Sequence, residues 1–374
     1  MIKLDNIRKI FMIGDLHLGI RNSSTVWNMD MIKFLNTFLD NLPRHGFDPD
    51  KDILMLTGDI FHSREFLNVM IMHNVIKVFD RITNTFTRGV YGILGNHDFY
   101  ALKTNKIHTL EFMVGLFPNM TIFSEADVLS INGNINFLML PWYDKKEDIE
   151  KLLTENTDCE YLFSHMDTAG FKYNKTIQVD GGIPRELLKR FKRAYIGHLH
   201  HKQESGNVLY LGTPYQMDRG DSETQRGYYV VTITDDILQE EYHENTWSPK
   251  FVAYEFDDIM NMSYEQAMPL LNNNYVDIRI PISAARNFQF GTFSDAMSEN
   301  NIQPKKLEFK QYDDSYAIDE SDYNVNVDFN FATTAKLILE EKKYTHTEAD
   351  SVLSYFNDLY TLARNNQKEQ HRVV

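Results

Sequence analysis

The chain has 374 residues, 43% apolar and 13% aromatic, too many for one ordinary core, so a large domain with smaller attached units is expected. A formal net charge of −15 excludes the basic footprint on which tight, free-standing nucleic-acid binding draws, so metals, a few local basic residues or a partner would have to supply it. The single cysteine, Cys159, excludes an internal disulfide and a Cys-based zinc cage and suits a reducing interior such as the cytoplasm; no apolar run reads as a membrane span or signal-peptide core.

From residue 9 to about 235, short apolar runs alternate with helical stretches, the pattern of a layered α/β domain. Buried strands are expected at Ile10–Ile13, Ile53–Leu56, Val90–Leu94, Asn136–Leu140, Tyr161–Phe163 and Ala194–Ile196. Most end at a Gly, Ser, Asp or His, and in layered sheets ligands gather beyond the carboxyl ends of strands. Two helices are expected, near 28–42 and 65–83. The first carries one apolar stripe, Met31, Phe34 or Leu35, Phe38 and Leu42. The second is apolar almost all round (Phe66, Leu67, Val69 to Met72, Val75, Ile76, Val78 and Phe79), so it is either buried on two sides within the chain or part of a homodimer contact.

These patterns divide the chain into a main domain over 1–249 and a small mixed α+β accessory unit over 250–311, with helices near 262–272 and 293–300 and strands at 275–280 and 306–311. Residues 312–330 read as a linker. They carry Asp313, Asp314, Asp319, Glu320, Asp322 and Asp328 with no Lys or Arg, and like charges extend a chain. Over 331–374 a helical hairpin is expected, with Ala349, Val352, Leu353, Phe356, Leu359, Tyr360 and Ala363 at helical steps along its second arm. An amphipathic hairpin on a solvated tether calls for a docking partner.

Five strand ends carry the chemistry. Gly14-Asp15-Leu16-His17 presents a carboxylate and an imidazole that can grip one divalent metal, although a strand-end Asp by itself could equally cap a loop. In Thr57-Gly58-Asp59-Ile60-Phe61-His62, Asp59 can bridge two cations through its two oxygens, the competing role being a helix cap. Gly95-Asn96-His97-Asp98 offers a neutral amide oxygen, an imidazole facing the substrate, and Asp98 to fix that imidazole's tautomer. Ser164-His165 alone would signify nothing, whereas Gly197-His198-Leu199-His200 places two imidazoles on one side of a strand end. His201 should point away. Mixed nitrogen and oxygen donors without thiolate suit manganese, iron or zinc. Two such cations can clamp a phosphodiester and lower the pKa of water between them.

In order, GDLHLG at 14–19, GDIFH at 58–62, GNHD at 95–98, SH at 164–165 and GHLH at 197–200 resemble the calcineurin-like metallophosphoesterase superfamily. His62, the run Tyr210 to Tyr215 and Arg226-Gly227-Tyr228 resemble the SbcD type of DNA repair nuclease subunit, in the layout of the shorter recombination endonuclease subunits of T-even-like bacteriophages. The resemblance implies a four-layer αββα sandwich with an accessory capping domain and a C-terminal hairpin. It also implies two divalent ions, with manganese expected. Asp15, His17, Asp59 and His200 would hold one, and Asp59, Asn96, His165 and His198 the other, with Asp59 as the bridge. His97 would act as general acid or phosphate-contacting residue, oriented by Asp98, and His62 would help place the DNA backbone. The implied partners are DNA and an SbcC-type SMC-like ATPase gripped by residues 331–366, in the cytoplasm, or a host's cytoplasm if viral. Competing readings are a phosphoesterase for phosphoproteins or nucleotides, and a scaffold for the ATPase.

Overall fold

The computed structural model describes residues 1–100, 107–174, 177–222 and 224–312. In chain order the strands are β1 (Ile2–Leu4), β2 (Lys9–Ile13), β3 (Asp52–Leu56), β4 (Val90–Ile93), β5 (Met120–Phe123), β6 (Asp127–Ile131), β7 (Ile135–Leu140), β8 (Tyr161–His165), β9 (Arg193–Gly197), β10 (Gln203–Ser205), β11 (Val208–Tyr210), β12 (Gly227–Thr234), β13 (Ile237–Glu244), β14 (Phe251–Glu255), β15 (Tyr275–Pro281) and β16 (Lys306–Tyr312). They form a six-stranded sheet ordered β13-β12-β2-β3-β4-β5, a seven-stranded sheet ordered β1-β6-β7-β8-β9-β11-β10, and a small sheet β14-β15-β16.

The two large sheets lie face to face. Strand periodicity shows this directly, because successive side chains point to opposite faces. Ile10 and Met12 of β2, Ile53 and Met55 of β3, Phe137 and Met139 of β7, and Phe163 of β8 share one core between the sheets. The alternate residues Phe11, Ile13, Leu54 and Leu56 face helices Thr25–Asn41 and Val69–Thr85 on one outer side. Leu138, Leu140 and Leu162 face the helix Lys146–Glu155 on the other. Burial on both faces explains why these strands read as unbroken apolar runs, and the result is the four-layer αββα sandwich.

The helix expected at 65–83 spans Val69–Thr85, because the Asn68 side chain accepts from the N–H groups of Met70 and Ile71 and caps its first turn. Its buried face is Ile71, Val75, Val78, Phe79 and Ile82. Around its start Phe66, Val69 and Met70 are exposed (77%, 84% and 53%), next to Val26 and Met29 of the neighbouring helix (54% and 55%). Burial on two sides within the described residues therefore does not account for its apolar composition.

The small sheet is parallel throughout. Ile259, Leu271, Val276, Ile278, Met297 and Ile302 give it a core of its own. Strand β14, absent from the sequence-based expectation, carries Phe251, which joins Tyr275 in stacking on Trp27 of the main body at 5.4 and 4.7 Å between ring centroids. The seat is also ionic. Asp30 accepts from the Tyr275 hydroxyl at 3.1 Å and the Lys305 ammonium at 2.6 Å, and Arg219 pairs with Asp277 and Glu308. The hairpin expected over 331–374, and the linker from residue 313, lie outside the described residues. No helix among the described residues is long and apolar enough to cross a membrane.

Candidate metal centre

β2, β3 and β4 of one sheet and β8 and β9 of the other end at a common edge, and the loops that follow are locked together by backbone bonds. His17 N–H donates to Asp59 O, Leu18 N–H to Ile60 O and His62 N–H to Leu18 O, at 2.8 to 2.9 Å. His17 and Asp59 sit in the left-handed region (φ 47° and 48°), an uncommon conformation for such residues that turns both side chains out of the strand direction. Gly14 permits the closest approach here, since a Cβ there would lie 1.9 Å from the carbonyl oxygen of Gly212.

The loops bring all the expected donors together. Asp15, His17 and His200 form one group, and Asp59, His165 and His198 a second, the potential ligand atoms of each lying within 4.8 Å of one another. Asn96 Oδ1 joins the second group, 2.9 Å from His198 Nδ1 and 3.0 Å from His165 Nε2. Asp59 Oδ2 lies between the groups, 3.5 Å from His17 Nε2 and 3.4 Å from His165 Nε2. A third group, His17, His62 and His97, adjoins the first.

Hydrogen bonds around the rim set which nitrogen faces inward. His165 Nδ1 is 2.8 Å from the Thr57 carbonyl oxygen, which only accepts, so Nδ1 carries a proton and Nε2 is the nitrogen that faces the centre, where a metal ion would displace any second proton. His198 is turned the other way: its Nε2 is 3.2 Å from Asp167 Oδ1 and its Nδ1 faces Asn96. Asp15 accepts from the Thr57 hydroxyl at 2.9 Å and the His198 N–H at 2.8 Å.

The electrostatics favour a bound cation. Burial raises the Asp15 carboxyl above its ordinary range. Burial also lowers His17 and His200, keeping their imidazoles neutral with lone pairs available. Burial opposes protonation of His165 too, but the Asp59 and Asp15 carboxylates outweigh it and hold the imidazole at about 9. The field that retains a proton there would equally retain a divalent ion. Two buried carboxylates, an amide and convergent imidazoles, with no thiolate, fit such ions.

One orientation differs from expectation. His97 Nδ1 lies 2.7 Å from the His62 carbonyl oxygen, while the Asp98 carboxylate accepts from the backbone N–H groups of Gly95 and, at 3.4 Å, Phe61. The His62 backbone therefore orients His97, and Asp98 ties two loops together. Burial and the charge of Asp59 raise the Asp98 carboxyl to about 7. The His62 ring stacks on that of His97 at 5.0 Å, and burial followed by His97 lowers it to about 4.

The sequence reading missed several supporting groups. Asp167 behind His198 follows the His165 motif by two residues, a spacing that could have drawn attention. Arg64 Nε donates to the Asn96 carbonyl at 2.9 Å. Arg226 is buried and reaches the His200 carbonyl, the Thr213 hydroxyl and Asp221. His201 does turn away from the centre, 3.3 Å from Asp221. Arg190 donates to the carbonyls of Leu153, Asn156 and Cys159, and Arg193 pairs with Glu204 and Glu240. Both are structural.

The fold and the donor set define a metallophosphoesterase. Residues 8–202, more than half of the chain, match the calcineurin-like phosphoesterase family, and the chain belongs to it. Exonuclease subunit 1 of enterobacteria phage T4 is 22% identical over 277 residues, covering 71% of this chain and 78% of that protein. Putative phosphoesterase 244L of invertebrate iridescent virus 6 is 25% identical over 246 residues, covering 63% and 80%. The SbcD component of the SbcCD nuclease from Staphylococcus saprophyticus is 21% identical over 269 residues, covering 63% and 68%.

Proposed function

We propose that this protein is a metal-dependent DNA nuclease subunit of a repair or recombination complex with an SMC-like ATPase. The observation that carries the reading is the placement of Asp59 Oδ2 between two donor groups at 3.5 and 3.4 Å, the arrangement a bridging carboxylate requires. Its extension from phosphoesters in general to DNA rests on the nuclease relatives. Asp15, His17, Asp59 and His200 would hold one divalent ion, and Asp59, Asn96, His165 and His198 the other, with manganese suited to the donor set. When bound, the ions supply Lewis-acid activation of the phosphodiester and of the attacking water.

The chain's own residues position the strand and move the proton. His97 Nδ1–H is held by the His62 carbonyl, leaving Nε2 to deliver a proton to the leaving oxygen as the phosphorus–oxygen bond breaks. The His62 ring, beside it, contacts the backbone of the DNA. Residues 250–311 act as the capping unit over the bound duplex end, and 331–366 as the segment that grips the ATPase. The exposed patch of Val26, Met29, Phe66, Val69 and Met70 pairs two copies. Such a complex operates in the cytoplasm, and its partner compensates for an acidic chain.

The test compares manganese-dependent hydrolysis of blunt, hairpin and single-stranded DNA with that of a small phosphodiester, with and without the ATPase. Hydrolysis of the small diester alone would leave a phosphoesterase of other specificity. Metal-site variants that still stimulate the ATPase normally would favour a scaffold.

A further inference from the structure

Beside the centre, on the side of His198 and His200, the surface opens into a groove of about 390 Å³ lined by Lys172, Asn174, His201, Lys202, Gln203 and Gln225. No carboxylate occurs among the described residues that line it, in a chain whose net charge is −15. Among the described residues, three nearby carboxylates are engaged with cations: Glu204 with Arg193, Asp221 with Arg226, and Glu244 with Lys250. The groove is therefore a local reversal of the protein's overall sign.

One of its two ammonium groups is held in place without being neutralised, and the backbone that carries the other is fixed. Lys202 Nζ lies 4.0 Å from the centroid of the Tyr242 ring, a contact that fixes a cation while leaving its charge available. Lys172 stands on the facing segment, whose backbone is clasped on both sides by one side chain. Gln203 Oε1 accepts from Lys172 N–H at 2.9 Å, and Gln203 Nε2 donates to Lys172 O at 2.7 Å. The two walls thus keep a set separation.

Both walls continue along the chain into segments of the metal centre. On one, His201 directly follows the donor His200. On the other, Tyr173 follows Lys172, its hydroxyl hydrogen-bonded to Asp167, whose Oδ1 is 3.2 Å from His198 Nε2. The Tyr173 ring is 41% exposed and stands edge-on to His198 at 6.3 Å, an aromatic face next in the chain to the groove-lining Lys172. Paired cations and an aromatic platform are the combination that holds a single nucleic-acid strand, the cations on phosphates and the ring beneath a base.

We infer that this groove is a strand-binding track, taking the phosphodiester backbone of the DNA strand that leads away from the scissile bond, with Lys172 and Lys202 on its phosphates and Tyr173 stacked on a base. The inference rests on the nuclease reading above and gives that reading a direction across the surface. It also locates a cationic contact that the overall charge conceals.

The test uses the full chain and a fluorescently labelled oligothymidylate, with chelator present to prevent cleavage, and follows anisotropy across a salt series. For Lys172→Gln with Lys202→Gln, the slope of log affinity against log salt should become shallower by about 1.4, about 0.7 for each cation that neutralises a phosphate on a single strand. Lys172→Arg with Lys202→Arg should restore it, and Tyr173→Ala should weaken binding without changing the slope. Thermal melts establish that each variant is folded, and the exposed single change Lys172→Gln, expected to remove about 0.7, serves if the double variant is not. A folded glutamine variant that binds with the wild-type slope overturns the inference while leaving the nuclease reading intact. A wild-type chain that neither binds nor cuts the strand overturns both.

Discussion

The Nε2 atoms of His17 and His200 face one another at 3.1 Å. Burial keeps both rings neutral, and in that state only one can donate to the other. A divalent cation would satisfy both lone pairs and the nearby Asp15 carboxylate together. Divalent metal should therefore stabilise the fold: at a concentration about a hundredfold above its dissociation constant, by about 2.7 kcal/mol. For a domain of this size that corresponds to a rise of roughly 5–10 °C in melting temperature. Differential scanning fluorimetry with manganese and then with excess chelator reads it. An unchanged melting temperature, or an undiminished rise in Asp59→Asn, would contradict the site.

His97 and Asp59 are connected, the His97 N–H donating to Asp59 Oδ1 at 2.7 Å, yet their side chains have separable tasks. His97→Ala should retain bound metal and lose about 100- to 10,000-fold in hydrolysis, the usual worth of a positioned proton donor. Asp59→Ala should lose metal as well. Elemental analysis beside a nuclease assay separates the two, and wild-type turnover by the first variant would remove His97 from the mechanism.

Asp221 and Arg226 form a buried pair at 2.6 Å, 6% and 3% exposed, that supports the His200 segment from below. Burial would raise the Asp221 carboxyl, but the His201 contact, the Arg226 charge and the Met217 N–H outweigh it and hold it below the ordinary carboxylate value. A carboxylate depressed in the folded state contributes stability that is fully present above its unfolded pKa, near about 4, and is lost as pH falls through the lower folded value. Asp221→Asn should cost about 3–5 kcal/mol near neutral pH, as when one partner of a buried pair is removed. The difference from wild type should shrink below about pH 4, a trend that denaturant titrations across pH would reveal.

Phe66 is 77% exposed at the edge of an apolar patch. Phe66→Glu should convert the proposed dimer to a monomer at micromolar concentration. Light scattering decides this, and a wild-type chain that is already monomeric would count against the pairing.

A chain ending near residue 328 should still cut DNA with manganese but no longer co-purify with the ATPase. Retained co-purification would refute the assignment of the tail.

Much of this protein was legible in its sequence because burial on both faces leaves an unbroken apolar run, and five of the six runs end where a ligand begins. The strands at Ile10–Ile13, Ile53–Leu56 and Tyr161–Phe163, and the donor types that follow them, needed no tertiary information. Local pattern could also predict that His201 turns away from His200, because alternation along a strand is itself local. It could not reveal which nitrogen of each imidazole faces inward, since the carbonyl that orients His165 belongs to Thr57, 108 residues earlier. For the same reason, adjacency suggested Asp98 as the partner of His97, whereas the fold supplied the His62 carbonyl. The exposure of Phe66, the seat of Tyr275 and Lys305 on Asp30, and the cationic groove of Lys172 and Lys202 likewise join residues distant in sequence. Periodicity assigns a side chain to a face; only packing decides what that face meets.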